Sequence, residues 1–335
     1  MNKSPRLVAL ETLYSIFYDG SYSNIALDKA LSDIKENKAF ISALVYGVTE
    51  KKITLDYFID KYAQGRIKPK VRIVLWLGAY QLLFMDKVPS SASINESVKL
   101  VKEIKQDYYS KLVNAVLHKI DNDRQIPDDL SVKYSVPENL INMWKKQYGE
   151  DVLNEFLPCI NDKPPLFAIP NKKFVNSDEL LYELECDGIL GEAYDEFVLI
   201  ENANDLTASK AFKNGLFYIE DLSSFIWANA LDALSDDLVL DMCSAPGGKA
   251  FTISQSMNNS GKIYCYDLHE HRLNLIKSSA KRLSIDNIYT DVNDATVYNE
   301  NIPKADKILC DVPCSGFGII RRKPEIRYKD LDSVK

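Results

Sequence analysis

Hydrophobic residues recur at helical spacing through the first 120 positions. Leu7 and Leu10 fall on one face of a predicted helix, and Ser4 followed by Pro5 is typical of an N-cap with proline at the first helical position. The same spacing recurs in five further segments, residues 39–48, 55–62, 71–85, 91–101 and 111–120. No alternation of polar and apolar residues interrupts it. We therefore expect a compact all-α domain over residues 1–125.

The middle of the chain is less regular. Residues 121–137 are polar and punctuated by proline, which is typical of a linker, and residues 138–160 return to helical spacing. Short apolar runs then mix with acidic turns as far as residue 217. We interpret residues 126–217 as a linker followed by a small α+β connecting region.

From residue 218 onward, short apolar runs alternate with helical stretches. Four predicted strands cover residues 238–241, 262–267, 288–290 and 305–311, and helical patterns occupy residues 249–257 and 272–283. Strands that alternate with helices indicate βαβ units and a parallel, doubly wound sheet. We expect a Rossmann-like α/β domain over residues 218–335, with its ligand beyond the carboxyl ends of the strands.

The composition fits a globular protein, with 46% apolar and 27% charged residues. The most apolar stretch, residues 71–85, carries Arg72 and is too short to span a bilayer, and the first residues do not resemble a secretory signal. We therefore expect a cytoplasmic protein that does not enter a membrane. Six cysteines without a CxxC pair, beside three histidines, predict neither a metal site nor a disulfide framework.

Charge is unevenly distributed within a net charge of −7. Residues 1–125 carry 19 Lys and Arg against 14 Asp and Glu, a balance of +5, whereas the rest of the chain carries 22 against 34, a balance of −12. Four cations cluster before the apolar stretch, at Arg66, Lys68, Lys70 and Arg72. This pattern is compatible with an RNA-binding front domain. Ordinary scatter of charge explains it equally well.

The segment from Asp241 to Lys249 reads Asp-Met-Cys-Ser-Ala-Pro-Gly-Gly-Lys and follows the first predicted strand. Gly247 and Gly248 allow close approach of a ligand to the backbone, and free N–H groups at a helix start favour an anionic group. Asp267 ends the second strand, where an acid can accept from both ribose hydroxyls of a nucleoside cofactor. A tight turn without a ligand is the alternative. The lack of GxGxxG argues against a nicotinamide or flavin enzyme.

Two motifs carry a resemblance to a known family. The segment Asp241 to Lys249 resembles the cofactor motif of RNA cytosine-C5 methyltransferases, and residues 311–318, Asp-Val-Pro-Cys-Ser-Gly-Phe-Gly, resemble their base-binding motif. Residues 220–224 and 321–326 match neighbouring parts of the same pattern. Residues 75–83 and 111–117 resemble the NusB fold as it occurs fused to the bacterial RsmB/Sun family of 16S rRNA cytosine-C5 methyltransferases.

The resemblance implies the cofactor S-adenosyl-L-methionine, the substrate 16S rRNA and a monomeric enzyme. It implies that the cofactor is contacted by Cys243, Ser244, Ala245, Pro246, Gly247, Gly248, Lys249, Asp267, Asp294 and Asp311. Asp311 is expected at N3 of the cytosine, and Cys314 is expected to assist release of the methylated product from a covalent adduct between a cysteine and C6. Phosphate contacts are expected from Arg321, Arg322, Lys323 and Arg327, although a solvated basic loop would look the same.

The family's attacking cysteine belongs to a later motif that these 335 residues do not contain. We therefore expect a truncated and inactive chain; an intact enzyme that uses Cys314 as nucleophile is the alternative. Cys310 is expected in a strand facing the core, and the remaining three cysteines as small buried residues, Cys159, Cys186 and Cys265. Two other functions remain open, a tRNA-directed methyltransferase and an RNA-binding protein with a vestigial methyltransferase body.

Overall fold

Six helices form the amino-terminal part of the computed structural model, which describes residues 3–202 and 205–331. They are α1 (Pro5–Tyr18), α2 (Ser23–Leu31), α3 (Lys38–Tyr62), α4 (Pro69–Phe84), α5 (Ser90–Glu103) and α6 (Ser110–Asn122). All six contribute to one apolar core, in which Trp76 and Phe58 are the largest buried apolar side chains. The Leu7 N–H donates to Ser4 Oγ at 3.2 Å, so the predicted N-cap is present. The predicted all-α domain is confirmed.

Three further helices pack with this domain. They are α7 (Leu130–Tyr134), α8 (Glu138–Tyr148) and α9 (Glu150–Cys159). The Ile53 N–H in α3 donates to Ser135 Oγ at 2.9 Å, and the Thr54 hydroxyl donates to the Val132 carbonyl. Residues 130–135, predicted as part of a linker, are therefore held against α3 by hydrogen bonds.

The segment after Cys314 belongs to the same compact unit, which comprises Met1–Lys163 and Ser315–Lys335. It contains two short 3₁₀ turns, Phe317–Ile319 and Pro324–Tyr328. Arg327 is only 1% exposed, and its Nη1 donates to the carbonyls of Glu50 at 3.3 Å and Ser135 at 3.2 Å, and to Asn161 Oδ1 at 3.0 Å. These hydrogen bonds tie the segment to α3 and to the residues that flank α8 and α9.

A second compact unit, Pro164–Cys314, begins with an antiparallel sheet. Its elements are β1 (Leu166–Pro170), α10 (Ser177–Cys186), β2 (Leu190–Ala193), β3 (Val198–Asn202), α11 (Lys210–Lys213) and β4 (Phe217–Ile219), with the strands in the order β2-β3-β1-β4. Asn171 Nδ2 donates to the carbonyls of Gly215 and Leu283 at 2.9 and 2.8 Å. This buried amide joins the small sheet to the rest of the unit.

The remainder of the second unit is the predicted α/β body. Its elements are α12 (Leu222–Asn229), β5 (Leu238–Asp241), α13 (Gly248–Ser256), β6 (Lys262–Asp267), α14 (Glu270–Leu283), β7 (Ile288–Val292) and β8 (Lys307–Leu309). The strands are parallel in the order β7-β6-β5-β8, with Asp241 opposite Cys265 and Leu309. Parallel strands end at one edge of the sheet, so the loops after all four strands lie together.

The compact units group the chain differently from the three-part division predicted by sequence. The boundary near residue 125 separates α6 from helices that pack with it in one unit, and the small antiparallel sheet shares a unit with the parallel sheet. The last four residues of the predicted domain 218–335 lie outside the described residues. The order of a helical part followed by an α/β part with a parallel sheet is confirmed.

Candidate active site

The turn after β5 is shaped by two glycines. Gly247 has φ +108°, a conformation that side chains rarely adopt, and a Cβ there would lie 2.8 Å from the Phe251 ring. A Cβ on Gly248 would lie 2.9 Å from Glu220 Oε1. The Ser244 N–H donates to the Tyr266 carbonyl at 2.8 Å, which ties the turn to β6. The two glycines thus allow the side chains of Phe251 and Glu220 to pack directly against the backbone at the start of α13.

Asp267 lies beside this turn, at the end of β6. Its side chain is 3% exposed, pairs with Arg272 Nη1 at 2.9 Å and accepts from the His269 N–H at 3.1 Å. The Arg272 Nη2 also donates to the Ala245 carbonyl at 2.8 Å. Arg272, which the sequence analysis did not select, therefore connects the predicted ribose acid with the turn.

Asp294, the acid predicted at the adenine, lies on an open depression after β7. Its carboxylate accepts from the Thr296 N–H at 2.9 Å and the Thr296 hydroxyl at 2.6 Å, and these hydrogen bonds lower the pKa of Asp294. The neighbouring Asn293 N–H donates to the Asp267 backbone carbonyl at 3.2 Å. The structure thus brings the loop of Asp294 next to Asp267.

Asp241 is the most unusual carboxylate of the site, and the sequence analysis gave it no role. It is 1% exposed, and neither carboxylate oxygen has a hydrogen-bond partner of good geometry; the same is true of the nearby Ser244 Oγ. Burial raises the pKa of Asp241 to about 6, against a smaller opposing effect of Ser244. A buried, unpaired carboxyl at the end of β5 is suited to accept a cationic or hydrogen-bonding ligand group.

A cavity of about 390 Å³ is lined by residues of the turn, Asp241 among them. Lys249 and Asp311 lie in its wall and form an ion pair, with Lys249 Nζ 2.8 Å from Asp311 Oδ2. Glu220 also lines the cavity and accepts from the Thr252 hydroxyl at 2.6 Å. Burial raises the pKa of Glu220 to about 7. Glu220 belongs to the motif at residues 220–224, but its position in the cavity wall was not predicted.

The thiols are placed differently from several predictions. Cys314 is exposed, and Cys265 is buried in the core as expected. Cys310, expected to face the core, is exposed just after β8, and Cys159 and Cys186 are also exposed instead of buried. Those three predictions are wrong because all three residues lie at or just beyond the end of a helix or strand. Cys243 is partly buried, and its pKa is raised by burial and by neighbouring carboxylates, Asp241 first.

The predicted phosphate-binding cations divide into two groups. Arg321 is half-buried and donates to the carbonyls of Asp162 at 3.2 Å and Lys163 at 2.9 Å. Lys323 lies over the Tyr22 ring at 4.7 Å, and Arg322 is half-buried. Arg327 is enclosed by the helical unit, so in this structure it cannot reach a phosphate, and its role is structural.

Residues 3–202 and 205–331 contain neither a membrane-spanning helix nor a cluster suited to a metal ion. No helix there is both long and apolar enough to cross a bilayer. No group of three or more His, Cys, Asp or Glu side chains in the same ranges has an arrangement that could hold a metal ion.

Family models match both parts of the chain. The model of the NusB family matches residues 3–122, and the model described as 16S rRNA methyltransferase RsmB/F matches residues 228–333. The second match includes Asp241, Asp267, Asp294 and Asp311.

Relatives match over nearly the whole chain. A protein named probable ribosomal RNA small subunit methyltransferase B from Bacillus subtilis is 34% identical, over 99% of this chain and 78% of its own length. Ribosomal RNA small subunit methyltransferase B from Shewanella oneidensis is 28% identical, over 96% of this chain and 77% of its own length.

Solved structures agree. The crystal structure of PH0851 is similar with a TM-score of 0.77 and 25% identity, over 100% of this chain and 80% of that one. NSun6 from Pyrococcus horikoshii, solved with SFG, shares the fold over 59% of this chain and 75% of its own, with a TM-score of 0.52 and 20% identity. With a NusB-like helical domain preceding an RsmB/F methyltransferase domain, the chain belongs to the ribosomal RNA small subunit methyltransferase B family.

Proposed function

We propose that the chain binds S-adenosyl-L-methionine and that its family reaction is methylation of cytosine C5 in 16S rRNA. The observation that carries the proposal is the Lys249–Asp311 ion pair in the wall of a cavity that adjoins the glycine turn. A charged pair beside a cofactor turn suits a polar, planar base brought next to a methyl donor. We propose that the protein acts on rRNA as a monomer in the cytoplasm.

The residues around the turn fit this cofactor. Asp267 is a buried carboxylate at a strand end, suited to two ribose hydroxyls, and Asp294 lies in the adjoining loop. The buried carboxyl of Asp241 suits the ammonium of an amino-acid group, and the start of α13, which has no side-chain cap, suits its carboxylate. When bound, the cofactor supplies an electrophilic methyl group on a sulfonium.

The family reaction needs an attacking thiolate, which the resemblance does not assign to any of these 335 residues, together with groups that act on the base. C5 of cytosine becomes nucleophilic when a thiolate adds to C6; after methyl transfer a base removes the C5 proton and the thiolate leaves. Thiolate addition places negative charge on N3, and Asp311 neutralises it by donating a proton to N3 as a neutral acid, for which its ion pair with Lys249 must open. Cys314, three residues later on an exposed loop, assists the release of the product. The base must leave its stack to enter the cavity.

Calorimetry with S-adenosylmethionine or S-adenosylhomocysteine tests the cofactor site in this chain. We expect Asp267→Ala to weaken binding by about 1.5–3 kcal/mol, as loss of hydrogen bonds to a charged group does. The matched control is Asp286→Ala, an exposed acid that precedes β7 at the opposite edge of the sheet. Equal affinity of the Asp267 variant and the parent would place the cofactor elsewhere.

We further propose that these 335 residues alone do not methylate RNA. The resemblance gives Cys314 the releasing role and gives none of the other five thiols the attacking role. Tritium transfer to undermodified 16S rRNA, with tRNA as a second substrate, is the measurement. A rate similar to that of a longer family member, abolished by Cys314→Ala, would make Cys314 the nucleophile. Transfer to tRNA instead of rRNA would favour the tRNA-directed alternative.

A further inference from the structure

An apolar groove lies in the helical unit, away from the cofactor turn along the chain. It has a volume of about 340 Å³, and α8, α9 and the 3₁₀ turn Phe317–Ile319 form its walls. Trp144 is almost completely buried at its base, whereas Tyr148 is 57%, Val152 51% and Phe156 38% exposed. Apolar side chains exposed together around a cavity indicate a binding surface.

The groove has a fixed aromatic wall. The rings of Trp144 and Phe156 meet edge to face, with centroids 5.1 Å apart at an angle of 88°, so Phe156 is supported from behind. Phe317 contributes a third ring to the lining. Arranged in this way, rigid rings with accessible surfaces are suited to stack on a flat ligand.

One guanidinium completes the lining. Within residues 3–202 and 205–331, Arg321 is the one charged side chain that lines the groove. Its Nε and Nη2 donate to the carbonyls of Asp162 and Lys163, which fixes the orientation of the guanidinium plane at the edge of the groove. Aromatic faces together with an arginine plane are the surfaces on which unpaired nucleobases stack.

The rim of the groove carries both signs, because α9 bears exposed Glu150, Asp151 and Glu155 and the 3₁₀ side is basic, so a nucleotide would turn its phosphate toward the 3₁₀ side. Arg321 is followed by two more cations, Arg322 and Lys323, and Lys146 is exposed in the last turn of α8. RNA presents a phosphate beside every base, whereas an apolar helix laid over the groove would cover Arg321 without neutralising it. Phe317 and Arg321 also belong to the segment that begins with Asp311, so the groove continues the base-binding motif along the chain.

We propose that this groove binds one unpaired nucleotide of the RNA substrate by stacking. The inference rests on the proposed function for the identity of the ligand, because it takes RNA to be the substrate. It assigns α8 and α9 to substrate binding, in addition to the phosphate contacts of the basic segment.

Fluorescence anisotropy with a short, labelled, single-stranded RNA tests the groove in the full chain. We expect Tyr148→Ala to weaken binding about tenfold, within the range of loss of one stacked base, and Tyr148→Phe to retain it. The salt dependence should stay unchanged, because no cation is removed. The control is Tyr108→Ala, which removes a tyrosine that is 92% exposed in the same unit.

Several outcomes would overturn the proposal. They are absence of RNA binding by the parent chain, equal affinity of Tyr148→Ala and parent, or an equal loss in Tyr108→Ala. A change in self-association or protein capture without a change in RNA affinity would assign the groove to a protein partner instead. Calorimetry of the Tyr148→Ala variant with S-adenosylhomocysteine distinguishes failure of the groove proposal from failure of the proposed function. Loss of the groove should leave the affinity for the cofactor unchanged.

Discussion

At the scale of single residues, Asp241 and Arg327 show what the sequence could not reveal. Both occur in recognisable segments, and the motif order predicted acids at or after the ends of three different strands, Asp267, Asp294 and Asp311. Whether a carboxyl is buried without a partner, or an arginine is enclosed by carbonyls, depends on residues far along the chain. Arg327 donates hydrogen bonds to the carbonyls of Glu50 and Ser135, and no local sequence pattern connects these residues with it.

The raised pKa of Asp241 makes the stability of the ligand-free protein depend on pH. Its folded-state pKa of about 6 lies above the unfolded value, so the folded state binds more protons and loses stability as pH rises through this window. We expect Asp241→Asn to be more stable than the parent by up to about 3 kcal/mol near pH 8. The difference should fall to about 0.5 kcal/mol near about pH 4, where the carboxyl is protonated in the folded state and about half protonated in the unfolded state.

Urea denaturation at the two pH values measures this difference. Asp286→Asn is the control, because that acid is exposed. The same Asp241 variant should bind S-adenosylmethionine more weakly, since the ammonium would lose its carboxylate. A stability difference that is the same at both pH values would contradict the role of ionisation.

At the scale of elements, the spacing of apolar residues predicted all four strands of the parallel sheet and α1, α4, α5 and α6, whereas it divided α3 into two segments and missed α2. Strand bounds agreed within a few residues; the last strand ends at Leu309 instead of continuing to Asp311. The helical pattern over residues 138–160 predicted α8 and α9, but neither α7 nor the packing of these three helices was predicted. Their attachment depends on hydrogen bonds such as that from the Ile53 N–H to Ser135 Oγ, which joins residues 82 positions apart. Hydrophobic periodicity predicts that a segment is helical, but not which other segment the helix packs against.

At the scale of the whole molecule, the compact units do not follow chain order. The base-binding motif begins with Asp311 in one unit and continues beyond Ser315 in the other. Deleting residues 1–120 would therefore remove the carbonyl partners of Arg327 and Tyr328 as well as any RNA-binding surface. Substitution of surface charges is the sharper test of whether the helical domain binds RNA.

The basic cluster at the start of α4 is the surface to test, and its four cations differ in exposure. Arg66, Lys68 and Lys70 are exposed, whereas Arg72 is held by ion pairs of 2.7 and 2.8 Å with Asp56 and Asp60. We expect replacement of the three exposed cations by alanine to weaken binding to an rRNA fragment. The slope of log affinity against log salt should flatten by about 2, because up to three phosphate contacts are lost.

Arg72→Ala provides the matched comparison, since it removes a cation of the same segment that is already neutralised by carboxylates. It should lower the free energy of unfolding and leave the salt slope almost unchanged, because its charge is not available to phosphate. Anisotropy titrations over a range of salt concentrations, with unfolding measured in parallel, distinguish the two. If the triple variant keeps both the affinity and the slope of the parent, the positive balance of the first 125 residues serves a purpose other than RNA binding.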